Sequence, residues 1–449
     1  MSDSGETVTR RRFVQTTAGV AAGSLLGLAA GAGQGAGPGK RRRYAILGTG
    51  HRGTGMWGRE LLNRHGDRLD VVALCDTNHR RALAARELMG LPNAPVFTSF
   101  DVMFAQARPD LLMITTPDST HADYIARALD CGLDVITEKP MAVDEKQIAV
   151  VLEAEKRNNR KIVMAFNYRY APKHQLIKEL LMSGEIGPVT SVDFSWYLDV
   201  IHGADYFRRW HRLRAVGGSL FVHKATHHFD LVNWWLASEP EEVTAHADLK
   251  RYGRNGAFRH THCRPCPHQA RCEFYWDMTR EARLMKLYAE AESEDGYHRD
   301  GCVFREDVDI FDTMAALVRY QNGVVMNYSL NAFTPFEGYR LAFNGERGRL
   351  EVRDYERQPF TPGEGTETLI EVTRSFGTRQ RIPAPPHEDS GHAGGDPRLM
   401  DLIFANAPMP EHMRLPDSRA GALSCAIGIA ARHSVDQGRP VRIAELVRV

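Results

Sequence analysis

From Arg43 onward, short apolar runs alternate with amphipathic stretches. "RYAIL", "VVALC", "LLMI" and "LDVIT" are hydrophobic runs of the length expected for buried strands. Between them, "RRALAARELMG" and "HADYIARALDCG" carry apolar residues at helical spacing. Strands alternating with helices predict a parallel sheet with helices on both faces. After "KIVMAFNYRYAP" the texture changes. One helix, "PKHQLIKELLMSG", leads into longer strand-like runs: "VTSVDFSWYLDV", "EVTAHADLKRYG", "AALVRYQNGVVMNYSLNAF" and "YRLAFNGERGRLEVRDY". The pattern predicts an α/β protein. A doubly wound parallel sheet spans 41–165, and a C-terminal α/β domain with a large open, mostly antiparallel sheet spans 166–449. Within the latter, residues 256–302 are cysteine-rich and charged and read as an insertion; no internal repeat is visible.

Residues 1–40 follow another pattern. "TRRRFVQ" precedes the mild apolar run "TTAGVAAGSLLGLAAGAG" and the Gly-rich "QGAGPG". Paired arginines before a weakly hydrophobic run resemble a bacterial twin-arginine signal, with cleavage expected near Ala30–Ala32. A basic tail or a lone membrane anchor is the alternative, although the many glycines make a poor spanning helix. The expectation is export to the periplasm, with no stable membrane insertion after cleavage. Lys plus Arg (57) nearly cancels Asp plus Glu (56), so charge gives no reason to expect a nucleic-acid partner.

"GTGHRG" places Gly48, Gly50 and Gly53 in G-x-G-x-x-G spacing between a strand and a helix. In that context glycines let the backbone approach a pyrophosphate at the positive end of the helix. The alternative is a turn that serves packing alone. The second strand ends in Asp76, placed to accept hydrogen bonds from an adenosine ribose and to repel a 2′-phosphate, which favours NAD over NADP. Arg80, one turn on, would soften that preference.

"TTPDSTHADYIARALDCGLDVITEKPMA" resembles the Gfo/Idh/MocA family, the glucose-fructose oxidoreductase and inositol dehydrogenase group. The Pro117/His121 pair, the helix ending at Gly132 and above all Glu138-Lys139-Pro140 carry the resemblance. "NYRY" (Asn167–Tyr170), "GEIGPV" and "GERGRLEV" extend it from about Arg43 to the C-terminus, apart from the cysteine insertion. It implies a Rossmann domain, a second domain whose open sheet forms a homo-oligomer interface, and a lysine, Lys139, beside the nicotinamide. Without this context Lys139 reads as a surface lysine at a strand end. Cofactor contacts are expected from Gly48, Thr49, Gly50, His51, Arg52, Gly53 and Asp76, and by resemblance from Thr116, Pro117, His121, Glu138, Lys139 and Asn167. Removing hydride from a carbinol carbon leaves a hydroxyl proton to be taken up. A lysine does this once burial and a neighbouring cation depress its pKa.

The family's segment G-G-G-x-x-x-D-x-G-x-H-x-x-D falls on Gly217–Asp230. His227 takes the family histidine position and Asp230 the final aspartate, but His223 replaces the first aspartate, and Lys224 and Ala225 also depart. Positions 223, 227 and 230 share one face of a continuous helix. Three readings stand: a zinc site that lacks an evident third ligand, hydrogen-bonded polar packing under the cleft, or substrate-binding and proton-transferring groups beside Lys139. The last makes Lys139, His227 and His223 the catalytic set, and adds Arg169 and Tyr170 to His223 and His227 as substrate contacts. His202, Trp210, His392 and Asp396 are weaker candidates for hydrogen bonding to or stacking on a sugar.

"HCRPCPHQARC" supplies Cys263, Cys266 and Cys272, and Cys302 follows. C-x2-C-x5-C with a fourth cysteine suits a four-thiolate metal site, structural zinc most simply, or an iron–sulfur centre, with His262 and His268 as substitute ligands. Disulfides are the alternative in an oxidising compartment. Cys75, Cys131 and Cys425 lie in apolar segments.

Together these features indicate an NAD-dependent oxidoreductase. It would act on a ring hydroxyl of a sugar or glycoside and hold its cofactor tightly, because no NAD pool exists outside the cytoplasm. The alternatives are a redox-neutral NAD-dependent glycosidase acting by transient C3 oxidation and elimination, and a non-catalytic NAD- or sugar-binding protein. The Tyr-Pro-Thr-His segment of such glycosidases is absent.

Overall fold

A computed structural model describes residues 41–359, 367–405 and 409–447. The expected signal, residues 1–40, lies outside them. The first apolar runs become strands β1 (Arg42–Leu47), β2 (Leu69–Cys75), β3 (Val96–Phe97), β4 (Leu111–Ile114), β5 (Asp134–Thr137) and β6 (Ile162–Met164). Every pair among them is parallel, in the order β3-β2-β1-β4-β5-β6. The order reverses direction at β1 and β4, and ligands of open parallel sheets bind beyond the strand ends at such a switch point. Side-chain caps start the crossover helices: Asn78 accepts from Arg81 N ahead of His79–Leu88, and Asp144 from Gln147 N ahead of Glu145–Asn158.

The second sheet contains β7 (Val189–Asp199), β8 (Pro240–Asp248), β9 (Thr313–Tyr320), β10 (Val325–Thr334), β11 (Glu337–Gly345), β12 (Gly348–Arg357), β13 (Glu367–Arg374), β14 (Arg379–Ile382) and β15 (Val441–Arg442). Its order is β14-β13-β12-β11-β7-β10-β9-β8-β15. All pairs are antiparallel except β7 with β10. The two long runs read from sequence are hairpins, β9–β10 and β11–β12. Strand β9 alternates buried and exposed residues, so one face is packed and the other open. The packed face meets the helix Ser418–Gln437, which lies against β8 and against the helix Ala225–Leu236. No described helix is long and apolar enough to cross a membrane.

One sequence expectation needs correction: the stretch through "HKATHHFD" is not one helix. Leu220–His223 and Ala225–Leu236 are separate, with Lys224 at the break, and the turn at Gly218 (φ 69°) and Ser219 (φ 80°) precedes both. The insertion packs closely on the first domain. Its helix Ala282–Leu287 packs on His79–Leu88, Asn78 Nδ2 donates to Ala291 O at 2.9 Å, and Arg283 donates to His51 O at 3.1 Å.

Candidate active site

The glycine turn between β1 and its helix is closely fitted. A Cβ on Gly48 (φ 90°) would stand 2.7 Å from the Thr115–Thr116 backbone, and one on Gly53 would stand 2.2 Å from Gly48 O. Both positions exclude side chains, which leaves the backbone N–H groups at the helix start open to an anionic ligand. From this turn a cleft of about 550 Å³ runs past Asp76 and Thr116 to Lys139, His223 and His227. Its length suits an extended ligand with an anionic group at the glycine turn.

Asp76 lines the cleft, but its carboxylate also accepts from Thr49 N (2.8 Å), Thr49 Oγ (3.1 Å) and Asn78 N (2.9 Å). The neighbouring arginine is Arg81, not Arg80. Arg81 lines the cleft and pairs with Asp76 at 3.3 Å and Asp295 at 2.5 Å, whereas Arg80 is tied up at the surface with Glu294. The reason is helical phase: one residue further on points inward.

Lys139 follows β5, and its Nζ lies 3.3 Å from His223 Nε2 and 3.1 Å from His223 O. Behind His223, Asp118 Oδ2 sits 2.5 Å from Nδ1. Burial pushes the Asp118 carboxyl up, and the facing Lys139 and Arg209 oppose it; held as a carboxylate by these cations it accepts from Nδ1–H, which leaves the Nε2 lone pair for Lys139. Burial, then Lys139, holds the His223 imidazolium pKa well below the usual histidine range, so the ring is neutral. Burial lowers Lys139 to about 8, with Asp118 and Glu138 opposing and Lys224 and Arg52 adding to the fall. The chain Lys139–His223–Asp118 therefore holds an amine near neutrality against a neutral imidazole and a carboxyl.

His227 also lines the cleft, stacked on Tyr168 with centroids 4.3 Å apart, and its Nδ1 is buried without a protein partner. Burial keeps it neutral. The third histidine, His228, turns into the core, bonded to Tyr328 OH at 2.7 Å and stacked on Trp196. Lys224 is buried, donates to Tyr168 OH at 3.0 Å and lies over the Trp196 ring.

Other expected site residues serve differently. Arg169 and Tyr170 do not line the cleft. Arg169 forms a two-pronged pair with Asp230 (2.7 and 2.5 Å), and Tyr170 OH donates to Arg414 O. The short 3₁₀ turn Asn167–Tyr170 directs both away, and it is this pairing that removes Asp230 from the cleft. Arg52 and Glu138 line the cleft but satisfy one another at 2.5 Å, with Trp57 Nε1 on Glu138 and Asp396 on Arg52 (2.8 Å). Asn167 lies behind the cleft, bonded through Nδ2 to His392 and Asp396. His121 spans Pro140 O (2.7 Å) and Thr116 O (2.9 Å), pinning the loops after β4 and β5 together. His202, Trp210 and His392 line the cleft; Asp396 does not.

Several lining residues were not singled out from sequence. Asp118 and His211 are two. His211 stacks on Trp210 at 3.6 Å, and its Nδ1 is buried without a protein partner. "PDSTH" and "RRWHR" held the signal, as polar residues in loops at strand ends. Among the described residues, ligand atoms of Asp118, His211 and His223 lie within 4.8 Å of one another, the spacing of a divalent-cation site. The Lys139 ammonium already faces this group, and a further cation there would meet its repulsion. Tyr288, Asp295 and Tyr297 come from the insertion, and Tyr288 OH accepts from His51 N at 2.8 Å.

Residues 42–166 match the NAD-binding Rossmann fold of the GFO/IDH/MocA oxidoreductase family, and residues 178–443 match that family's C-terminal alpha/beta domain. The oxidoreductase YteT of Bacillus subtilis is 37% identical over 429 residues, covering 91% of this chain and 99% of that one. An inositol 2-dehydrogenase of Rubrobacter xylanophilus is 31% identical over 218 residues, 46% of this chain and 56% of its own length. Among solved structures, the WlbA dehydrogenase of Bordetella pertussis, in complex with NADH and UDP-GlcNAcA, superposes with a TM-score of 0.61 at 19% identity. That match covers 90% of this chain and 99% of the dehydrogenase. With both halves of the chain matched in order around a glycine-turn cleft, the protein belongs to the Gfo/Idh/MocA family of NAD(P)-binding oxidoreductases.

Proposed function

We propose that the protein oxidises a ring hydroxyl of a sugar or glycoside, with Lys139 as the proton acceptor. The observation that carries this reading is the placement of Lys139 Nζ in the dinucleotide cleft, 3.3 Å from a neutral histidine backed by a carboxyl. Bound NAD supplies the hydride acceptor. The residues of this chain bind, orient and move the proton. Lys139, lowered to about 8, has a neutral fraction at neutral pH and takes the hydroxyl proton. His223 Nε2 then receives a hydrogen bond from the new ammonium, and the Nδ1–Asp118 contact keeps that ring in the accepting tautomer. Trp210 and Tyr206 offer aromatic faces to a sugar, and the unpartnered His227 Nδ1 marks a ring that a substrate hydroxyl would help to satisfy.

Relatives named inositol 2-dehydrogenase and D-xylose 1-dehydrogenase support polyols and sugars as the substrate class. Asp76 supports NAD over NADP by charge, a preference that the paired Arg81 softens. Export by a twin-arginine route would require the cofactor to stay on the enzyme between turnovers, and the open face of the second sheet is the surface for a homo-oligomer.

The test is to incubate the purified protein with a panel of sugars, polyols and aryl glycosides, without and with added NAD, and follow absorbance at the NADH band. Reduction of cofactor with a keto product is expected, and its loss in Lys139→Ala. Aglycone release over many turnovers without net reduction would replace this reading with the glycosidase. No turnover on any member, with wild-type ligand binding kept in Lys139→Ala, would replace it with a binding protein.

A further inference from the structure

The cysteine insertion carries a second chemical centre outside the cleft. Cys263, Cys266 and Cys272, from its first part, meet Cys302, from its last, around one small cavity that Arg208 and His262 also line. Its volume of about 20 Å³ admits an ion and no organic ligand. All four are free thiols, with no sulfur joined to another.

Two of the sulfurs are positioned as hydrogen-bond acceptors. Phe304 N donates to Cys302 Sγ at 3.4 Å. Arg208 Nη1 donates to Cys263 Sγ at 3.2 Å. A neutral thiol is a weak acceptor, whereas a thiolate is a strong one. Arg208 adds an independent requirement. It is buried, 6% exposed, and its other acceptors are the carbonyls of Gly301 and Phe274. Among the described residues no carboxylate pairs with it, and a buried guanidinium needs a counter-charge. Thiolate sulfur is the anion in reach. A bound metal deprotonates its sulfur ligands outright and so supplies that anion.

We propose that Cys263, Cys266, Cys272 and Cys302 hold a thiolate-ligated metal centre that clamps the two ends of the insertion. The sulfurs are set wider than the Asp118–His211–His223 trio. A single tetrahedral zinc, with Zn–S bonds of about 2.3 Å and sulfurs ~3.8 Å apart, would draw them inward and suits a cavity of this size. The consequence reaches the active site. The segment between Cys272 and Cys302 carries Tyr288, Asp295 and Tyr297 to the cofactor cleft, and Arg264, between the first two cysteines, holds its later part through Asp300 at 3.0 Å and Glu292. Closing this loop lowers the entropy it would otherwise lose when the cleft wall is ordered.

The experiment is metal and acid-labile sulfide analysis of the full chain purified without chelator, with thiol titration in denaturant and a count of retained NAD. One zinc per chain is expected; iron with matching sulfide and a visible chromophore would overturn the single ion. Cys266→Ser and Cys272→Ser should lose the metal, unfold at lower temperature and retain less NAD, whereas Cys131→Ser should keep all three properties. Should the serine variants fail to fold, the wild-type analysis still decides. Folded wild type without metal, or with the four sulfurs paired as disulfides, overturns the proposal.

Discussion

Replacing His223 by aspartate tests the proton chain at its middle member. A neutral imidazole now sits 3.3 Å from Lys139 Nζ, and the lysine is lowered from 10.5 to about 8. At that value about one lysine in ten is neutral at pH 7, against roughly one in three thousand at the ordinary value. A carboxylate ~5 Å from the ammonium contributes about 3 kcal/mol at an effective dielectric of about 20, or about two pKa units. Asp118 would repel it, since two adjacent carboxylates share a proton, so a rise of about one unit is the expectation. The base must be neutral to act, so turnover rises with pH through the Lys139 pKa. In His223→Asp that limb of kcat/KM should move up by about one unit, with about tenfold lower turnover at pH 7 and recovery at higher pH. Asp118→Asn removes the group that most opposes the burial effect on Lys139, and should move the limb the other way, below 8. The assay is kcat/KM against pH for the three proteins with one substrate. Limbs that coincide, or that shift in the same direction, would refute the coupling.

Two further outcomes follow from other contacts. Arg169→Met leaves the Asp230 carboxylate buried and unpaired, at a cost of about 3–5 kcal/mol, so the thermal midpoint should fall while KM holds; an unchanged midpoint with a raised KM would return Arg169 to the substrate site. Gly53→Ala places a Cβ 2.2 Å from Gly48 O, so the turn must open, and NAD binding measured by fluorescence titration should weaken by at least about tenfold, or about 1.4 kcal/mol; wild-type affinity would show that the turn does not hold the cofactor.

What the sequence determined by itself is what local contacts decide. The glycine turn, the strand before it and Asp76 at the end of β2 are read within a few dozen residues, because steric freedom at Gly48 and Gly53 and hydrophobic run length are local properties. The alternation of strands and helices likewise separated the two sheets. It did not show that β7 and β10 run parallel, since pairing direction depends on the path of the chain between them. The chemistry of the cleft was legible only in part. His223 stands 84 residues from Lys139, and the family resemblance alone put the two together; Asp118, 105 residues from His223, was missed because nothing in either segment announces the other. Helical periodicity placed Asp230 beside His223 and His227, but the break at Lys224 and the Arg169 pair took it out of the cleft. The sequence marked residues 256–302 as a cysteine-rich insertion but not where it packs. Folding laid its tyrosines along the dinucleotide cleft, because burying Leu287 and Tyr288 against the first domain covers apolar surface that neither segment can cover alone.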